Sequence, residues 1–123
     1  NQVVVDIGGG KYAFYAHMIP GSIKVKEGDF VEGGQVIGHL GNSGNSDAPH
    51  LHFHVMDNKA ALNSNGLPYV FKNWNYQGRL SGANLGDIAD EIQGGKKAVI
   101  DTAGAGPRQE ALPLTNDVIG FDQ

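Results

Sequence analysis

The sequence predicts a mainly β fold, an antiparallel sheet or sandwich of short strands. Three observations carry that expectation. Glycine occurs 19 times in 123 residues, and runs of Val and Ile recur between clusters of Gly, Asn and Asp, the signature of short strands joined by tight turns. The run Pro49-His50-Leu51-His52-Phe53-His54-Val55 alternates imidazoles with apolar side chains, a period of two. Helical spacing is confined to residues 85–92, apolar at 85, 88, 89 and 92, where one short amphipathic helix is expected.

Taken in order, residues 2–7 read as a strand closed by Gly8-Gly9-Gly10, and residues 11–18 as a second, giving a hairpin. On that second strand Ala13, Tyr15 and His17 share a face, opposite Tyr12, Phe14 and Ala16. A short strand is expected over 22–25 before the Gly28-Asp29 turn, and another over 35–40 after Gly33-Gly34. The loop Gly41-Asn42-Ser43-Gly44-Asn45-Ser46-Asp47 is rich in residues that tolerate left-handed backbone, and Pro49 fixes the start of the histidine strand. Further on, Leu67 to Phe71 and Trp74 to Tyr76 supply β-prone aromatic residues. Residues 94–111 are mostly Gly, Ala, Lys and polar residues and read as a surface loop around a brief strand at 98–100. Residues 112–114 and 118–119 read as a last strand or a wrapping tail.

Composition narrows the function. At 123 residues the chain is long enough for one domain with a real core. A net charge of -4 and the lack of Lys/Arg-rich runs argue against nucleic acid as a partner. No stretch is long and apolar enough for a transmembrane segment. With no cysteine there is neither a disulfide framework nor a thiolate metal site, so any metal falls to His, Asp or Glu.

On a strand, His50, His52 and His54 share one face, roughly 6.6 Å apart at the backbone, while Leu51, Phe53 and Val55 share the other and are expected to enter a core. Such spacing lets one imidazole bind a metal while its neighbour reaches a substrate or a metal-held water. The bland alternative is a half-buried strand with a titratable outer face, and this segment alone does not separate the two.

Three pieces stand in a telling order. Tyr15-Ala16-His17 comes first, then Lys26-Glu27-Gly28-Asp29 with Gly34-Gln35-Val36-Ile37-Gly38, then Gly41-Asn42-Ser43-Gly44-Asn45-Ser46 leading into Pro49-His50-Leu51-His52-Phe53. Together they resemble the lysostaphin/LytM-type zinc endopeptidases, which cut peptide bonds in bacterial peptidoglycan. The resemblance covers residues 1–57 and implies an antiparallel sheet or sandwich of the duplicated hybrid-motif type. Residues 58–123 resemble nothing catalytic and are expected to form a C-terminal extension packed on or wrapping that core.

The resemblance also implies roles. His52 maps to a zinc (Zn2+) ligand, and His17 and His50 to the catalytic residues flanking the metal-bound water; which of the two is the base stays open. Tyr15, Asn42, Ser43 and Gly44 would border the substrate groove, although a packed Tyr15 and a turn-forming loop are the plainer readings. His54 is expected to line the groove or face solvent, and His39 to be exposed. The family's two further ligands come from an upstream His-x-x-x-Asp motif that does not precede Asn1. The chain is therefore expected to be N-terminally truncated and inactive alone, from a parent at the bacterial cell envelope acting on peptidoglycan peptide. Two alternatives compete. One is a non-catalytic relative that binds peptidoglycan or activates another hydrolase. The other is a biotinyl/lipoyl-type carrier domain, for which Lys59 is poorly placed.

Overall fold

The computed structural model describes residues 1–81, 86, 90, 92 and 94–121, and these form two compact units, Asn1–Pro68 and Tyr69–Gln123. The expected helix over 85–92 lies largely outside the described residues. Strands in antiparallel sheets dominate both units, so the fold is mainly β.

In the first unit, β1 (Val3–Gly8), β2 (Lys11–Ala16), β3 (His52–Met56) and β4 (Gly66–Leu67) lie side by side in that order. The expected hairpin is present. Gly8, Gly9 and Gly10 all have positive φ, a run of left-handed backbone that glycine adopts without a Cβ penalty. The β2–β3 register pairs Phe14 with His54, Tyr15 with Phe53 and Ala16 with His52. Cross-strand partners share a face, so Val4, Tyr12, Phe14, Ala16, His52, His54 and Met56 lie on one side of the sheet.

This placement corrects the expected core. Burial on the apolar side of the histidine strand is graded: Val55 is buried and Phe53 half-buried, but Leu51 is 44% exposed. The cluster of buried residues forms on the histidine side instead, from Phe14, Ala16 and Met56 with Val4, Tyr12 and Ala61 against it. Leu51 precedes β3 and has no sheet partner to cover it, whereas Met56 sits opposite Tyr12.

The strands expected over 22–25 and 35–40 do not form regular ladders. Those segments touch each other through Lys24 N to Ile37 O and His39 N to Ser22 Oγ, and residues 39–40 also meet the chain after β2 through Ile19 N to His39 O and an isolated bridge of Met18 with Leu40.

The second unit is built on β5 (Phe71–Leu80), which pairs with β6 (Ile100–Asp101), β7 (Gly106–Ala111) and β8 (Asp117–Gly120). The surface loop expected over 94–111 is thus a strand in its last six residues. Its polar side chains hid the pattern, because β7 is held by backbone pairing to β5 rather than by apolar alternation. Trp74 is buried at the centre of β5, its Nε1–H donating to the Ala111 carbonyl at 3.1 Å.

Met56 is fully buried. Met56→Ala should lower stability by about 2–5 kcal/mol through lost burial and the cavity left behind, read as a lower urea midpoint by far-UV circular dichroism at an unchanged m-value.

Candidate active site

The site grows from the end of β2. His17 follows the last strand residue and has φ 63, in the left-handed region where a residue with a Cβ pays about 1–3 kcal/mol. That break ends the alternation of β2. His17 therefore does not share a face with Tyr15, as strand parity suggests, but turns its ring to the histidine side. Its ring centroid lies 4.7 Å from that of His50 and 5.6 Å from that of His52. His54 completes the cluster at 5.1 Å from His52, and Phe14 supports both rings, 5.6 Å from His52 and 4.9 Å from His54.

The loop 41–50 holds two of these rings. His17 Nδ1–H donates to the Ser43 carbonyl at 2.8 Å, and His50 Nδ1–H donates to the Ala48 carbonyl at 2.8 Å. A carbonyl oxygen only accepts, so each bond assigns the proton to Nδ1, and each neutral ring keeps an unprotonated Nε2. Ser46 Oγ lies 3.2 Å from the same His50 nitrogen and donates to the same Ala48 carbonyl. Ser43 adds two bonds of its own, Oγ–H to the Met18 carbonyl at 2.7 Å and N–H to the His17 carbonyl at 3.4 Å. Gly41 permits this close approach. A Cβ there would sit 2.5 Å from Ile19 N and 2.9 Å from His17 O.

His52 Nε2 and His54 Nδ1 share a hydrogen bond at 3.0 Å. When His52 donates it, the Nδ1 lone pair of His52 is left for a cation. That suits one zinc donor, but zinc takes four ligands, three or more from protein. No group of three or more His, Asp or Glu among the described residues is arranged to hold a metal ion, so these residues do not by themselves fit zinc.

Of the expected site residues, the structure brings His17, His50 and His52 together with Ser43 and Gly44; a Cβ on Gly44 would come 3.9 Å from His17 Nδ1. Asn42 is exposed beside them. Tyr15 is not part of this cluster. Its ring packs 4.9 Å from Phe53 on the opposite face of the sheet, where burial raises the pKa of its phenol. His39 is exposed. Sequence reasoning missed Phe14 as the support and Ser46 with Ala48 as the anchor of His50. Register would have revealed Phe14, since it pairs with His54.

The sequence model of Peptidase family M23 matches residues 1–64, all within the first unit. This chain belongs to peptidase family M23. Two relatives of the chain are lysostaphin of Staphylococcus simulans, 38% identical over 72 residues, and glycyl-glycine endopeptidase ALE-1 of Staphylococcus capitis, 40% identical over 68. Those stretches cover 58% and 55% of this chain but 14% and 18% of the relatives, so it spans a small part of their length. No solved structure matches it.

His52 holds a proton less tightly than an ordinary imidazole, because its ring is partly desolvated and because His54, His17 and His50 oppose a further charge. An unfolded chain, with the ordinary value of about 6.5, takes up that proton first as the pH falls. The contribution to folding is therefore intact above that value and is lost on acidification through the lowered one. Thermal melts should show Tm falling as the pH drops below about 6.5, and His52→Gln should shrink the fall; an equal fall in the variant would remove His52 as its source.

Proposed function

We propose that this chain is part of a zinc-dependent endopeptidase hydrolysing the peptide cross-links of bacterial peptidoglycan at the cell envelope. In this reading His52 is one zinc donor, the others come from residues outside this chain, and His17 and His50 move the protons. The observation that carries it is the pair of adjacent imidazoles whose Nδ1 atoms are tied to carbonyls, which leaves Nε2 of each ring as the nitrogen without that bond, in one cluster with His52.

Peptide hydrolysis needs a base for the attacking water and an acid for the leaving amine. Either His17 or His50 presents the required lone pair at Nε2. On taking the water's proton it becomes an imidazolium, whose new Nε2–H passes to the departing nitrogen as the C–N bond breaks. Its Nδ1–H bond to a carbonyl steadies that charge through a charge-assisted hydrogen bond. Zinc, when bound, supplies water activation and carbonyl polarisation. In this reading Asn42, Ser43 and Gly44, on the loop that holds His17, would border the substrate peptide. A glycine-rich cross-bridge is the first substrate to assay, because one relative is named a glycyl-glycine endopeptidase.

The lack of a three-donor group among the described residues favours a second reading, a non-catalytic module that binds peptidoglycan. Metal content separates the two. A polypeptide extended upstream of Asn1 should carry one zinc that His52→Ala abolishes, while the 123-residue chain alone binds it weakly and does not turn over substrate. In the extended protein His17→Ala and His50→Ala should each cut kcat by about 10²–10⁴ with zinc retained. A metal-free extended protein that still sediments with peptidoglycan would favour the binding module.

A further inference from the structure

We propose that Ser43 is the positioning residue of His17, its hydroxyl anchoring the peptide whose carbonyl fixes the His17 tautomer. The inference rests on reading His17 as a proton-moving group and gives Ser43 a task distinct from lining the groove.

All three polar groups of Ser43 are spent on two consecutive residues. Its carbonyl accepts the His17 Nδ1–H at 2.8 Å, its hydroxyl donates to the Met18 carbonyl at 2.7 Å, and its N–H donates to the His17 carbonyl at 3.4 Å. The last bond is long, so the hydroxyl is the firmer tether. The backbone it braces is under strain, because His17 has φ 63. On one side of Ser43, Gly41 lies so close to Ile19 N and His17 O that a Cβ would not fit; on the other, Gly44 has φ 78. The serine is thus suspended between two residues that set the path of the loop, and its hydroxyl is the side-chain group that ties it to the end of β2.

A free imidazole in water populates both neutral tautomers. Base chemistry at Nε2 needs the one with its proton on Nδ1, and an acceptor fixed opposite Nδ1 selects it. Without the Ser43 hydroxyl the carbonyl loses its tether and the selection weakens. The Nδ1–H bond to that carbonyl, a neutral one, biases the tautomer ratio roughly fivefold, so its full loss sets the upper limit of the shift. Ser46 serves His50 separately, through the Ala48 carbonyl, so the two rings can be perturbed one at a time.

The test is nitrogen-15 NMR of the imidazoles in the 123-residue chain in metal-free buffer, which reads the protonated nitrogen of each ring. The native chain should show His17 as a single Nδ1–H tautomer. Ser43→Ala should move His17 toward the Nε2–H form, by up to roughly fivefold, while His50 holds, Ser43→Thr should keep the native pattern, and Ser46→Ala should move His50 alone. An unchanged His17 in Ser43→Ala overturns the proposal and leaves Ser43 as a groove residue. So does a His17 signature lost equally in the threonine variant, which keeps the hydroxyl and guards against a serine-to-alanine chain that fails to fold. Because the readout uses no metal and no substrate, its failure is separable from a failure to find zinc or cleavage.

Discussion

The register between β2 and β3 is the constraint on which the histidine cluster depends. Pairing Ala16 with His52 and Phe14 with His54 puts two imidazoles above a buried phenyl ring and leaves the small Ala16 beside them. A slip of one residue would send both histidines to the other face, where Ala13 and Val55 are buried. Phe14 is therefore both core and platform. It belongs to the buried cluster with Ala16 and Met56, and its ring meets His52 edge-on and His54 at a tilt.

The second ingredient is the abrupt end of β2. A continued strand would have kept His17 on the Tyr15 face, with the sheet between it and His52. A left-handed residue rotates it across, and the loop that returns along Ile19 and Met18 holds it there. Backbone strain is thus converted into side-chain convergence, the use to which strained residues in functional sites are often put. The strain is tolerated because the surrounding bonds over-determine it.

Much of this was legible in the residues. The triple glycine turn, the hairpin and the alternation of residues 50–55 follow from local chemistry, and so does the one left-handed residue of the loop at 41–47, Gly44. What escaped is long-range. Which face of a histidine strand is covered depends on the neighbouring strand's register, and nothing local tells Phe14 that it will sit opposite His54. The turn of His17 was hidden because histidine, unlike glycine, does not advertise positive φ. In the second unit, β7 carries Arg108, Gln109 and Glu110 and reads as a loop. It is a strand only because the ten residues of β5 offer it a ladder. The segments at 22–25 and 35–40 have strand composition yet share one backbone bond, Lys24 N to Ile37 O, and one side-chain bond from Ser22, which is too little for a ladder.

Trp74 is the single tryptophan of the chain, and it is buried in the second unit with its indole N–H bonded to Ala111. Its fluorescence is thus a built-in reporter for that unit. The imidazoles lie in the other unit, whose aromatic chromophores are tyrosine and phenylalanine. A red shift of the Trp74 emission on unfolding would register the loss of β5, and its coincidence or not with the titration-monitored loss of the histidine cluster's imidazole NMR signals would reveal whether the two halves melt as one cooperative body.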